Sequence, residues 1–337
     1  MNIIRKRAYA RAALVGNPSD GYAGRTISLI VRNFSADVVL YEWDTVEILL
    51  TQEDRARFHS VHDLALDVSL HGYYGGIRLI KATVKRFVDY CRTAGETLHD
   101  QNFTLRYQTN IPRQVGLAGS SAIITATLRC LMEFYGVEVP LVIQPSLVLS
   151  VERDELRVAA GLQDRVAQAY EGLVYMDFAA EHERQLHKLR YYQYEPLDPA
   201  LLPPLFLAYH HGFSEPTEVF HNDAQERFRR GDAAVVNGMR SVADLAASAR
   251  QALLDCDARG LSRLVDANFD VRRSIFRLPE WQVKMVDAAR ACGASANFAG
   301  SGGAIVGTYE SAATFDALRS ALEAVGCRVI RPLVTSP

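Results

Sequence analysis

The stretch Ile111-Pro112-Arg113-Gln114-Val115-Gly116-Leu117-Ala118-Gly119-Ser120-Ser121-Ala122 decides how the chain is read, because a run of small residues leads from a strand-like segment into a periodic helix. Backbone N–H groups in such a turn can converge on phosphate. Glycine and alanine keep side chains clear of the approaching oxygens, and the helix that follows adds free donors and the positive end of its dipole. Serine hydroxyls at that point can reach phosphate or Mg²⁺. The structural alternative is that Ser120 or Ser121 caps a helix beginning near Ala122. The turn has no G-K-[ST] ending, so it is not a Walker A loop.

A second glycine cluster, Asn297-Phe298-Ala299-Gly300-Ser301-Gly302-Gly303-Ala304-Ile305-Val306-Gly307, follows a helical segment and enters an apolar strand. It reads either as a second close backbone approach to a ligand or as a tight helix-to-strand connection. Between the two clusters lie Ser150-Val151-Glu152-Arg153-Asp154-Glu155 and Ala160-Gly161-Leu162-Gln163-Asp164-Arg165-Val166. Phosphoryl transfer needs one carboxylate to hold Mg²⁺ and another to orient, and take a proton from, the attacking hydroxyl. Glu152 and Asp164 suit those two roles, although an acidic residue on a helix is more often a solvated charge or a salt-bridge partner.

Upstream, Ala8 to Val15 and Thr26 to Val31 read as strands around the turn formers Gly16-Asn17-Pro18-Ser19-Asp20-Gly21, with further strands at Ala36 to Leu40 and Val46 to Leu50. Apolar spacing predicts helices over Ile77 to Tyr90 and Ala122 to Tyr135, and Leu173 to Phe178 is strand-like. The polar stretch Ala180 to Lys188 carries no visible chemistry. A proline-rich passage from Glu195 to Pro204 precedes the apolar run Leu205 to Tyr209, which places a domain boundary there and gives domains 1–198 and 199–337. Beyond it, helices are expected over Glu218 to Arg230, Ala233 to Leu254 and Gln282 to Cys292. Then come the second glycine turn, a strand at Ala304 to Tyr309, a helix near Ala312 to Val325 and a last strand. The class is α+β.

The chain has 337 residues, 49% of them hydrophobic, enough for a large core divided between two domains that share a cleft. Its 37 basic and 39 acidic side chains are well mixed, which excludes a whole-protein field for nucleic acid or an anionic membrane. The five cysteines form no C-x-x-C pair, the nine histidines no H-x3-H pattern, and His210-His211 would point to opposite faces of a strand. The basic N-terminus is followed by no secretory apolar segment, so the expected setting is the cytoplasm.

Taken together, these motifs resemble the GHMP kinase superfamily. Arg11-Ala12-Ala13-Leu14-Val15-Gly16-Asn17-Pro18-Ser19-Asp20 is similar to its substrate-recognition motif, Pro112 to Ala122 to its phosphate loop P-x3-G-L-G-S-S-A, and Gly300-Ser301-Gly302-Gly303-Ala304 to its third motif. Within the superfamily the likeness is strongest to the plant glucuronokinases. It runs through Gly24-Arg25-Thr26-Ile27-Ser28, Tyr73-Tyr74-Gly75-Gly76 and Gly161 to Gln168 as well as those motifs. The resemblance implies an N-terminal domain of the ribosomal-protein S5 type, a ferredoxin-like C-terminal domain, and ATP between them. It implies Asp164 as catalytic aspartate and Arg11 as the basic residue near the reacting hydroxyl. Glu152 and Ser121, with Ser120 close behind, become the Mg²⁺ ligands. Pro112, Gly116, Leu117, Ala118, Gly119, Ser120, Ser121 and Ala122 become the nucleotide loop, and Asn17, Asp20, Arg25, Gly300, Ser301, Gly302 and Gly303 the substrate side.

Two departures bear on those roles. The phosphate loop is one residue longer than the family pattern if Gly119-Ser120-Ser121-Ala122 is kept in register. Asn17-Pro18 stands where galactokinase-like motifs carry glutamate and histidine, and the missing carboxylate suits an anionic sugar. The resemblance implies D-glucuronate as the acceptor, with Arg25, or else Arg113 or Arg165, against its carboxylate. The alternatives are another sugar, such as galactose, galacturonate or a heptose phosphate, and a ligand-sensing protein without turnover.

Overall fold

The structure, a computed structural model, describes residues 3–49, 76–210 and 225–335. Tyr73-Tyr74-Gly75, His211, Leu50 and the first part of the helix expected from Glu218 lie outside the described residues.

The first sheet grows from one hairpin, in which β1 (Ile3–Val15) runs antiparallel to β2 (Arg25–Trp43) across a tight helical turn at Ser19–Tyr22. The two strands expected at Thr26 to Val31 and Ala36 to Leu40 are a single strand. Tyr9 pairs with Ser35 while Ala10 pairs with Val31, so the residues between leave the ladder as a bulge. Their polar groups are met from the C-terminus: the Arg32 N–H donates to the Leu333 carbonyl (2.7 Å), and Asn33 Oδ1 accepts from the Leu333 N–H (2.8 Å).

The chain continues through β3 (Glu47–Ile48), helix α1 (Gly76–Ala94), β4 (Asn102–Thr109), α2 (Gly119–Tyr135), α3 (Gln144–Ser150), α4 (Gln163–Tyr170) and β5 (Leu173–Asp177). The polar stretch after β5 forms a hairpin of β6 (Arg184–Leu186) and β7 (Leu189–Tyr191), which leads into β8 (Gln193–Leu197). His187 and Lys188 turn that hairpin with φ of 46° and 66°, a conformation that normally signals itself by Asn or Gly. One edge of β2 carries β1, and the other carries β5 and β4 in an order β3-β4-β2-β5-β8.

The second sheet begins with β9 (Leu205–His210), followed by α5 (Ala233–Leu254), α6 (Ala258–Ile275), α7 (Glu280–Ala291), β10 (Asn297–Phe298), β11 (Ala304–Thr308), α8 (Ala312–Ala324) and β12 (Cys327–Ile330). Its antiparallel order β10-β11-β9-β12 is ferredoxin-like. Strand β9 is buried on both faces: Leu205, Leu207 and Tyr209 join the core of the first sheet, while Phe206 and Ala208 pack with Phe269, Met285 and Phe315 under the helices. Each such large apolar side chain contributes about 2 kcal/mol. Strands thus divide between Leu197 and Leu205, whereas the apolar core continues across.

Helix α6 is absent from the sequence reading. Its inward stripe is Leu261, Val265, Asn268, Phe269, Arg272 and Ile275, and two polar residues at core positions hide the apolar period. Among the described residues no helix is long and apolar enough to cross a membrane.

Candidate active site

Three loops meet where β1 ends. In the first, Gln114, Gly116 and Ala118 all take positive φ, and α2 starts at Gly119 rather than near Ala122. Ala118, in the left-handed conformation, occupies the N-cap with no side-chain cap, so the serine-capping alternative does not describe this turn. The intrahelical ladder begins with the Ala122 N–H donating to the Ala118 carbonyl (3.2 Å), and the backbone donors before it lie outside that ladder. The Ser121 hydroxyl donates back to the same carbonyl at 3.2 Å, and Ser121 is buried. Ser120 is more open to solvent.

The second glycine turn is stacked on the first. A Cβ on Gly300 would lie 2.1 Å from the Gly116 carbonyl oxygen, and one on Gly303 would lie 2.9 Å from the Cα of Val115. Only residues without side chains permit that approach. The segment from Arg11 to Asp20 is stitched to both turns. The Arg11 N–H donates to the Leu117 carbonyl (3.2 Å), the Ala13 N–H to the Ala299 carbonyl (2.8 Å), and Asn17 Nδ2 to the Gly300 carbonyl (2.8 Å).

Into this junction α4 brings the expected carboxylate. Arg11 Nη2 lies 2.6 Å from Asp164 Oδ1, both side chains largely out of water, and Arg11 also donates to the Ala299 carbonyl. One helical turn on, Gln168 Nε2 donates to the carbonyls of Ala118 (2.9 Å) and Tyr9 (3.0 Å), which ties α4 to the Gly116 turn. Arg165 joins the two acids: Nη1 lies 3.1 Å from Asp164 Oδ2, and Nε donates to Glu152 Oε2 at 2.8 Å. Glu152 sits in a widened helical turn, Val151–Glu155, that continues α3.

Asp20 closes the cluster. It accepts from Gln163 Nε2 (3.0 Å) and the Gln163 N–H (3.4 Å), and it fits because Gly161 has no Cβ, which would lie 2.0 Å from Oδ2. Burial, and next the Asp164 charge, push its carboxyl up to about 6. Three carboxylates thus face two guanidiniums.

Arg25 stands apart from this chain of charges. Its Nε donates to Asp177 (2.8 Å), its register partner on β5, and Nη1 lies 3.5 Å from Asp244. The salt-bridge reading of Arg25 describes what it does here. Arg113 is exposed.

Sequence reasoning missed the supports supplied by α6. Asn268 Oδ1 accepts from the Gly16 N–H (2.6 Å) while its Nδ2 donates to the Asn17 carbonyl (3.1 Å). Arg272, one turn later, donates to the carbonyls of Gly300 (2.9 Å) and Ser301 (3.1 Å) and lies 4.8 Å over the Phe298 ring. Burial lowers its guanidinium to about 10. The signal available in the sequence was polar residues on an otherwise apolar stripe.

Residues 78–172 match the profile of the GHMP kinases N terminal domain. The backbone is similar to that of galactokinase from Lactococcus lactis, solved with galactose, at a TM-score of 0.78 and 14% identity over 99% of this chain and 94% of that one. It is also similar to phosphomevalonate kinase from Streptococcus pneumoniae, at a TM-score of 0.74 and 15% identity over 98% of each chain. At these identities the likeness is one of fold. Fold and matched domain together define the class: a two-domain α+β chain with the N-terminal domain of the GHMP kinases. In sequence, Glucuronokinase 1 of Arabidopsis thaliana is 44% identical over 317 residues, 90% of this chain and 84% of that protein. Probable glucuronokinase 2 of the same plant is 45% identical over 311 residues, with the same coverage. The chain belongs to the GHMP kinase superfamily and, within it, to the glucuronokinase family.

Proposed function

We propose that this chain transfers the γ-phosphoryl group of ATP to the anomeric hydroxyl of D-glucuronate, giving glucuronate 1-phosphate and ADP, with Mg²⁺ accompanying the nucleotide. The observation that carries the reading is the Arg11–Asp164 contact of 2.6 Å, held against the phosphate-type loop through the Arg11 backbone. The five free thiols suit a cytoplasmic setting.

In this reading the triphosphate lies along the start of α2, where helix donors and dipole favour anions. Asp164 orients the sugar hydroxyl and accepts its proton as the oxygen attacks the γ-phosphorus and the bond to the β-phosphate oxygen breaks, ADP leaving. Arg11 holds Asp164 in place and offsets charge on the transferred group. Asp20, with Asn17, takes sugar hydroxyls.

Mg²⁺ bound with a nucleotide needs only one or two protein oxygens, and the donor chemistry fits: both Arg165 contacts fall on Oε2 of Glu152, leaving Oε1 outside the pair. Ser120 is the better hydroxyl for it, since it is more open to solvent than the buried Ser121. When bound, the ion neutralises phosphate charge.

The test is coupled ADP release by the full chain with glucuronate, galacturonate, galactose and a heptose phosphate. Glucuronate should give the highest kcat/KM. Asp164→Asn should lower kcat about 10³-fold while ATP binding stays within about threefold. Preference for a neutral sugar overturns the substrate, and substantial turnover by the variant overturns the base.

A further inference from the structure

Taking a guanidinium out of water is costly unless it gains both hydrogen bonds and a countercharge. Among the described residues three arginines are buried: Arg11, Arg165 and Arg272. Arg11 is paired with Asp164, and Arg165 with Glu152 and Asp164. Arg272 has no carboxylate among its described partners. It is 4% exposed, its two bonds go to the Gly300 and Ser301 carbonyls, and its Nε has no hydrogen-bond partner.

The location of that charge is as informative as its isolation. The Gly300 carbonyl that accepts from Arg272 also accepts from Asn17, and Asn268, one turn before Arg272, holds the backbone of Gly16 and Asn17. One face of α6 therefore sets an unpaired cation a single carbonyl group behind the segment expected to meet the sugar. A fixed charge in a poorly solvated site acts well beyond contact distance. Asn17 brings no negative charge to oppose it.

We propose that Arg272 determines the preference of the sugar site for an acidic over a neutral sugar, its unpaired guanidinium behind Asn17 and the Gly300–Ser301 turn serving as the distant countercharge of the substrate carboxylate. Arg272 does not touch the substrate and acts through its charge at a distance, and the inference rests on the uronate reading above.

The test compares D-glucuronate with D-glucuronamide, which is neutral at the same position, for the full-length wild type, Arg272→Met and Arg272→Lys. The wild type should favour the acid by about tenfold or more in kcat/KM. Arg272→Met should lose about tenfold of that ratio through KM, with KM for ATP within about threefold, and Arg272→Lys, which keeps the charge, should retain the ratio within about threefold. An acid-to-amide ratio unchanged in Arg272→Met, or lost equally in Arg272→Lys, overturns the proposal, as does a loss expressed in KM for ATP. If Arg272→Met does not fold, the lysine variant and the wild type still decide: a wild type indifferent to acid and amide overturns it without any variant. A wild type that phosphorylates only neutral sugars in the ADP-release panel overturns instead the substrate reading beneath it.

Discussion

The two glycine turns are alike in composition and differ in the element each leads into. The Gly116 turn opens into α2, whose backbone donors before Ala122 lie outside the helical ladder, while its Leu117 and Ala118 carbonyls accept from Arg11 and Gln168. The Gly300 turn lies between β10 and β11 and spends its carbonyls inward: Ala299 accepts from Ala13 and Arg11, Gly300 from Asn17 and Arg272, Ser301 from Arg272. Glycine content marks where backbone must come close. Which atoms it presents is set by the element that follows, a helix in one case and a strand in the other.

If the Gly300 turn is the brace and the Gly116 turn the anion site, the largest effect should come from prising them apart. Gly300→Ala puts a methyl group 2.1 Å from a backbone oxygen that cannot turn aside. A loss of about 3 kcal/mol in urea unfolding is expected, with activity falling alongside. A variant as stable as the wild type would mean the turns do not bear on each other. Next in size, Ser120→Ala should lower kcat about 30-fold, and Ser121→Ala less than about threefold, in the ADP-release assay. The reverse ranking would return the phosphate-side role to Ser121.

A smaller effect separates charge from architecture. Asp20 is held up at about 6, so between about pH 4 and that value the folded chain keeps a proton that the unfolded chain releases. Stability contributed by this group therefore falls as pH rises through the window. Because a single proton distinguishes the two states, the slope should stay below about 1.4 kcal/mol per pH unit. Urea midpoints across the window should show that slope in the wild type and not in Asp20→Asn. Smallest of all is Gly119→Ala, whose new Cβ meets Ile111 Cγ2 at an ordinary 3.5 Å. Thermal melting should show stability unchanged or raised by up to about 1 kcal/mol.

Much of this site was legible in the chain, though unevenly. The segment from Arg11 to Asp20, both glycine turns and Asp164 could be singled out because each belongs to a short local pattern, and the structure brings them together. Helix α5 begins and ends where its periodicity predicts, at Ala233 and Leu254. Helix α6 did not declare itself, since Asn268 and Arg272 break its apolar stripe for the sake of contacts to residues 16, 17, 300 and 301. The continuity of β2 was equally hidden, because the groups at Arg32 and Asn33 that resemble a break are satisfied by Leu333, some 300 residues away. Arg25 illustrates the converse: its motif gives no sign of Asp177 and Asp244, the carboxylates it meets in the structure.

What the sequence by itself determined was the set of local preferences: where glycine frees the backbone, where apolar residues recur at helix or strand spacing, and which acids and bases stand near those turns. Only the tertiary structure decided which charges pair among the described residues and which backbone atoms each glycine turn commits. The reason is physical: backbone freedom and amphipathic period are properties of neighbours in the chain. Ion pairing and burial are properties of neighbours in space, and the partners of Arg11, Asn17 and Arg272 lie far from them in sequence.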